Sequence, residues 1–218
     1  MNELRYTLLS DGSSDEALLP ILTWLLRENG IQSAIQSVWA DLRRLRRPPQ
    51  RLSERIKRSV DLYPCDLLFI HRDAENVSYD IRLAEIKAAI QEVYTAVVVL
   101  PMICVVPVRM QEAWLLCDEK AVRRAAGNPL GRHSLQFPPI AKLEQLSEPK
   151  NILHELLRAA SGLKGRRRKR ILVTQCARRV AEFIDDFSPL RTLSAFQALE
   201  SEIRQAIKTR GWENSADS

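Results

Sequence analysis

The amino-acid sequence reads as an α/β protein: a small parallel sheet with helices on both faces, joined to a helical C-terminal half. Three observations lead there. Short segments apolar throughout alternate with amphipathic ones in the first half of the chain. Strands with no polar face belong to a sheet covered on both sides, the kind that crossover helices build. From Gln111 onward the apolar spacing is helical.

Residues 4–10 (LRYTLLS) are short, apolar and bounded by Asp-Gly, which predicts a buried strand. Residues 15–29 set Leu18, Leu22 and Leu25 on one helical stripe, widened by Leu19 and Leu26 and stopped at Asn29-Gly30. Ser13-Ser14-Asp15-Glu16 has the order of a capping box. Residues 31–39 alternate weakly and predict a second strand. After the Pro48-Pro49 break, residues 51–62 form a helix with Leu52, Ile56 and Val60 inward. Residues 66–71 (DLLFIH) are the clearest buried strand. Residues 79–94 are a helix facing inward through Leu83, Ile86, Ile90 and Val93, and residues 103–108 are a fourth strand. Beyond it, residues 112–117 and 119–126 predict one helix or a broken pair, closed by Gly127-Asn128-Pro129. Residues 128–139 are a loop, and Pro149 suits the first turn of a helix reaching about Ala160. Residues 167–186 and 194–209 are further helices. The division expected is an α/β domain over 1–128, a helical extension packed on it over 129–213, and a frayed tail over 214–218.

Composition excludes several classes. With 45% apolar residues and only 7 Gly in 218, the chain can bury a full core, so it is neither disordered nor fibrous. Its longest apolar run, Ala96 to Val108, has 13 residues and two prolines, whereas a membrane span needs about 20. With no signal-peptide pattern at the N-terminus, a cytoplasmic location is expected. Cys65, Cys104, Cys117 and Cys176 form no CxxC pair and read as reduced thiols among apolar neighbours. The three histidines make no HExxH, so zinc is not expected. Walker A, GxGxxG and GxSxG are all missing, which disfavours nucleotide-triphosphate hydrolysis, dinucleotide redox chemistry and a serine hydrolase.

The net charge is +6, from 33 Lys and Arg against 27 Asp and Glu, and its distribution says more than its size. Residues 41–58 carry +6 and residues 164–179 carry +8, which leaves −8 on the remainder. An acidic body with two basic segments suits a polyanion partner, nucleic acid above all, although both segments also read as solvated helix faces. Arg43, Arg44, Arg46 and Arg47 in one, and Arg166, Arg167, Arg168, Lys169 and Arg170 in the other, are the residues expected to hold phosphates. Neither segment contains an aromatic residue, so stacking on bases is not expected within them.

In an open parallel sheet, ligands bind beyond the carboxyl ends of the strands. The first strand delivers Asp11 and Asp15 there, the third His71, Arg72, Asp73 and Glu75, and the fourth Arg109 and Glu112. Oxygen-rich clusters of this kind suit Mg²⁺, which would activate a water and neutralise charge on a scissile phosphate. Asp11, Asp73 and Glu112 are the candidate catalytic residues; Asp11, Asp15, Asp73, Glu75 and Glu112 are the candidate metal ligands. Plainer explanations exist for each. Asp11 precedes Gly12 in a turn, Asp15 or Ser13 caps a helix, His71 and Arg72 end a strand, and Glu112 balances a helix dipole or pairs with Arg109. Asp73 follows a buried strand with no helix to cap at once, which makes it the best candidate.

The stretches SDGSSDEALLPIL and LLFIHRDAE together resemble the Toprim fold, the catalytic domain of topoisomerases, primases and the overcoming-lysogenization-defect nucleases. VVPVRMQEAWLLCDEKAVRRAAGNP is similar to a signature of Toprim-like bacterial proteins. The likeness covers about residues 4–128 and extends to FIDDFSPLRTLSAFQALE. It implies that Asp11 is a general acid/base or metal ligand, that Asp73 and Glu75 are metal ligands, and that Glu112 is a further one. The sequence departs from the pattern at two positions: the family usually carries Glu where Asp11 stands and Asp where His71 stands. Asp is one methylene shorter, and His removes a charge, which favours Mn²⁺ over Mg²⁺. The resemblance also suggests an ATPase protein partner in phage defence.

The leading expectation is a metal-dependent nuclease acting on phosphodiesters of DNA or RNA. The competing one is a non-catalytic module that binds nucleic acid or a protein, including a second copy of itself as a homo-oligomer. In that reading the apolar run Phe183, Ile184, Phe187, Leu190, Leu193, Phe196 and Leu199 either covers a partner or packs on the chain's own helices. A small-molecule phosphohydrolase leaves the basic segments unexplained.

Overall fold

The structure is a computed structural model that describes residues 2–94 and 100–213. The tail expected to fray, 214–218, and the start of the apolar run at Ala96 lie outside the described residues. Four strands form one all-parallel sheet: β1 (Glu3–Leu9), β2 (Ala34–Trp39), β3 (Leu67–His71) and β4 (Met102–Val105), in the order β2-β1-β3-β4. The chain steps from β1 to β2 on one side and then to β3 on the other, so the topological switch point lies between β1 and β3. β1 and β3 are in register from Tyr6 with Leu67 to Leu9 with Ile70. A crevice opens there, between the segments that follow them.

The central strand β3 is buried throughout and β1 is buried from Tyr6 on, with cores on both faces, while the edge strand β2 is only partly covered. Leu4, Tyr6 and Leu8 of β1 and Leu67 and Phe69 of β3 face one core. Leu9, Leu68 and Ile70 face the other. The second core is closed by α2 (Leu52–Leu62), through Ile56, and by α3 (Tyr79–Tyr94), through Ile86, Ile90 and Val93. The first core is larger. It takes Leu18, Ile21, Leu22, Leu25 and Leu26 of α1 (Leu18–Glu28) and then the whole C-terminal half: α4 (Glu119–Ala125), α5 (Pro149–Ala160), α7 (Val173–Phe183) and α8 (Ser194–Arg210). Trp114 is fully buried among them, with its ring edge-to-face on Phe196 at 5.3 Å.

The local differences from expectation have physical reasons. The first helix begins as a 3-10 turn, Ser13–Ala17, before α1 proper. The predicted pair at 112–126 is a 3-10 segment, Gln111–Cys117, then α4, whose start Asp118 caps by accepting from the backbone N–H of Lys120 and Ala121. The single helix expected over 167–186 is two: α6 (Gly165–Lys169) and α7, with the chain turning at 170–172. Four consecutive cations repel one another along α6, which buries no residue to offset that. β4 stops at Val105, before Pro107, which has no N–H for a ladder. The apolar run near the C-terminus is internal: Phe187, Leu190, Leu193, Phe196 and Leu199 are all buried within the chain. No helix among the described residues is long and apolar enough to cross a membrane.

Candidate functional site

The ladder between β3 and β4 continues past both strands and sets the site. Arg72 N–H donates to Val105, Ala74 N–H to Pro107, and Glu75 N–H to the Arg109 carbonyl at 2.8 Å. Glu75 and Arg109, the two residues this last bond joins, both have left-handed backbone, with φ of 50° and 62°. Non-glycine residues hold that conformation at a cost, and it persists where the surroundings over-determine it. Here it turns both chains so that Asp73 meets the start of the next segment. The Gln111 backbone N–H donates to Asp73 Oδ1 at 2.9 Å.

All five acidic residues singled out from the sequence, Asp11, Asp15, Asp73, Glu75 and Glu112, line one cavity of about 290 Å³ at the switch-point crevice. Their roles within it differ. Asp15 is buried and satisfied: it accepts from the Gly12 N–H at 2.9 Å, from Ser14 Oγ at 3.0 Å and from Gln111 Nε2 at 3.0 Å. Part of its work is therefore to hold the turn after β1. Asp11 stands between two arginines: Arg55 of α2 donates to its Oδ1, and Arg72 Nε to its Oδ2 at 3.2 Å. Burial raises the Asp11 pKa, but the hydrogen bond and charge of Arg55, helped by Arg72, outweigh burial and hold the carboxyl below its ordinary value. Glu75 is exposed on the rim.

Asp73 and Glu112 are the perturbed pair. Burial, with the charges of Glu112 and Asp15 adding to it, pushes Asp73 up to about 6 against the pull of His71 and the Gln111 N–H. Burial also raises Glu112, opposed in part by Lys150, whose Nζ lies 3.7 Å from Oε1. The other Glu112 oxygen, Oε2, is buried with no hydrogen-bond partner. His71 is 2% exposed. Its Nδ1 lies 3.0 Å from the Val105 carbonyl, which can only accept, so Nδ1 is the donor and Nε2 faces Asp73 Oδ1 at 3.5 Å.

In kind, these donors suit a hard divalent ion: several carboxylates in one cavity, with one oxygen orphaned. They do not form a ready-made cage, since among the described residues no three His, Cys, Asp or Glu side chains converge as a metal site.

Of the basic residues, Arg43, Arg44, Arg46 and Arg47 are exposed on the loop after β2, with Arg43 and Arg44 both paired to Asp41. Arg166, Arg167, Arg168, Lys169 and Arg170 are exposed on and just after α6, and Arg168 reaches Glu155 of α5 at 3.2 Å. From the same basic segment, Arg178 donates to the Ser13 carbonyl beside the site. Four polar residues at the site went unrecognised as parts of it in the sequence: Arg55, Arg82, Gln111 and Lys150. Gln111 adjoins Glu112 and could have been suspected; Arg55 lies on a basic helix face and Lys150 on α5, and nothing in their spacing announces them. The chain matches no model of a known protein family, no curated protein and no solved structure.

Proposed function

We propose that this chain is a Toprim-like, divalent-metal-dependent phosphodiesterase acting on DNA or RNA. The observation that carries the reading is the group Asp15, Asp73 and Glu112, gathered at the switch-point crevice with one Glu112 oxygen orphaned and Asp73 held up to about 6. Mg²⁺ or Mn²⁺ would be held by Asp73 and Glu112, with His71 Nε2 at hand for the softer ion. When bound, such an ion supplies charge neutralisation on a phosphate. Asp11, kept ionised between Arg55 and Arg72, positions those two guanidinium groups at the mouth of the crevice, where phosphate oxygens would meet them. The exposed cations of α6 and of the loop after β2 would hold the rest of the polyanion. A partner ATPase and a place in phage defence rest on the resemblance alone.

Two observations favour a second reading, a nucleic-acid- or protein-binding module without catalysis: no three metal-binding side chains converge among the described residues, and two arginines occupy Asp11. Plasmid nicking separates the two. The first reading expects Mn²⁺- or Mg²⁺-dependent nicking that Asp73→Ala abolishes; normal DNA binding with no cleavage in either ion supports the second.

A further inference from the structure

A second cavity, of about 200 Å³, adjoins the acidic one, and Asp11 lines both. Its other walls include Trp39 at the end of β2, Arg43, Pro48, Gln50 and Arg55. The indole is oriented, because Trp39 Nε1 donates to Ser10 Oγ at 2.8 Å. The Arg43 guanidinium lies over the indole, 4.8 Å from the ring centroid. The backbone after β1 is fixed by the same group of residues, since Arg55 Nη2 donates to the Ser10 carbonyl at 2.6 Å.

Three of the walls have a matching part in a nucleotide, while Asp41 and Asp11, which also line the cavity, hold Arg43 and Arg55 in place as ion-pair partners. An aromatic face backed by a guanidinium is a surface on which any base can stack. Arg55 offers charge to a phosphate at the wall shared with the acidic crevice. Gln50 offers hydrogen bonds to a base edge. The volume lies below the ~300–1,000 Å³ of most ligand pockets, so it suits one planar ring system and leaves no room for a base pair. No aromatic falls within residues 41–58, and stacking was not expected there; β2 places Trp39 just ahead of that segment, against Arg43.

We infer that this cavity is a subsite for one unpaired nucleotide next to the scissile phosphate, its base on the Trp39–Arg43 pair and its phosphate at Arg55. The inference rests on the phosphodiesterase reading and narrows its substrate to strands with an unpaired nucleotide at the site. The test is binding by the full chain in EDTA, where no metal-dependent cleavage occurs, to a fluorescent single-stranded oligothymidylate and to a duplex of equal length. Trp39→Ala and Arg43→Gln are each expected to weaken single-strand binding about tenfold, as loss of one stacked base does. For Trp39→Ala, duplex binding should change less than about twofold, and Trp39→Phe should keep most of the single-strand affinity. Equal losses on both probes for Trp39→Ala, or no loss on the single strand, overturn the subsite. Failure of the phosphodiesterase reading shows differently: the single-strand preference stays while wild-type protein with Mn²⁺ leaves the oligothymidylate intact.

Discussion

At Asp73 the site and the stability of the fold pull in opposite directions. Its carboxyl is pushed up to about 6, so between the ordinary carboxyl value, about 3.9, and about 6 the folded chain holds a proton that the unfolded chain has lost. Stability therefore falls as pH rises through that window and stays lower above it. Asp73→Asn keeps an oxygen for the Gln111 N–H and removes the buried charge. In metal-free buffer it is expected to stabilise the fold by about 1–3 kcal/mol at neutral pH, with the gain gone near pH 4. Urea unfolding at the two pH values measures this; a gain independent of pH contradicts the assignment. The acidic set of the site was legible in the sequence because parallel strands end at one edge, so whatever follows β1, β3 and β4 is brought together by topology alone. The partners were not. That Asp11 is held by Arg55 and Glu112 faced by Lys150 depends on side-chain directions across elements remote in sequence, which periodicity does not encode.

Among the elements, α6 is the one least tied to the core. It buries no residue and carries four of the five cations from Arg166 to Arg170. In the reading proposed above, a phosphate backbone would neutralise this helix of like charges. Replacing all five by Gln is expected to weaken DNA binding and make its salt dependence shallower, by about 0.9 in slope per lost phosphate contact. Unfolding free energy should move by no more than about 0.5 kcal/mol, as for other surface changes. An unchanged salt slope would place the polyanion elsewhere. Strands and long helices were readable here because burial imposes a period on them. The break at 170–172 was not, because Ile171 and Leu172 continue an apolar spacing although Leu172 is 63% exposed. The 3-10 segment at Gln111–Cys117 was equally hard to read, since nearly all of it is buried and it shows no polar face to mark its turn.

Over the whole molecule, a net charge of +6 conceals an acidic body and two basic segments. Carboxylates from three strand ends meet at the switch-point crevice, and the arginines of residues 41–58 begin at its wall, where Asp11 separates the acidic cavity from the one lined by Trp39 and Arg55. The C-terminal half joins the larger core and supplies Lys150 to the site from α5. The proposed binding of a divalent ion by Asp73 and Glu112 is tested most directly by calorimetric titration of Mn²⁺ into wild-type protein and into Asp73→Ala at neutral pH. The expected result is a saturable heat in the wild type that the variant lacks. No heat with either Mn²⁺ or Mg²⁺, or the same heat in both proteins, would contradict it.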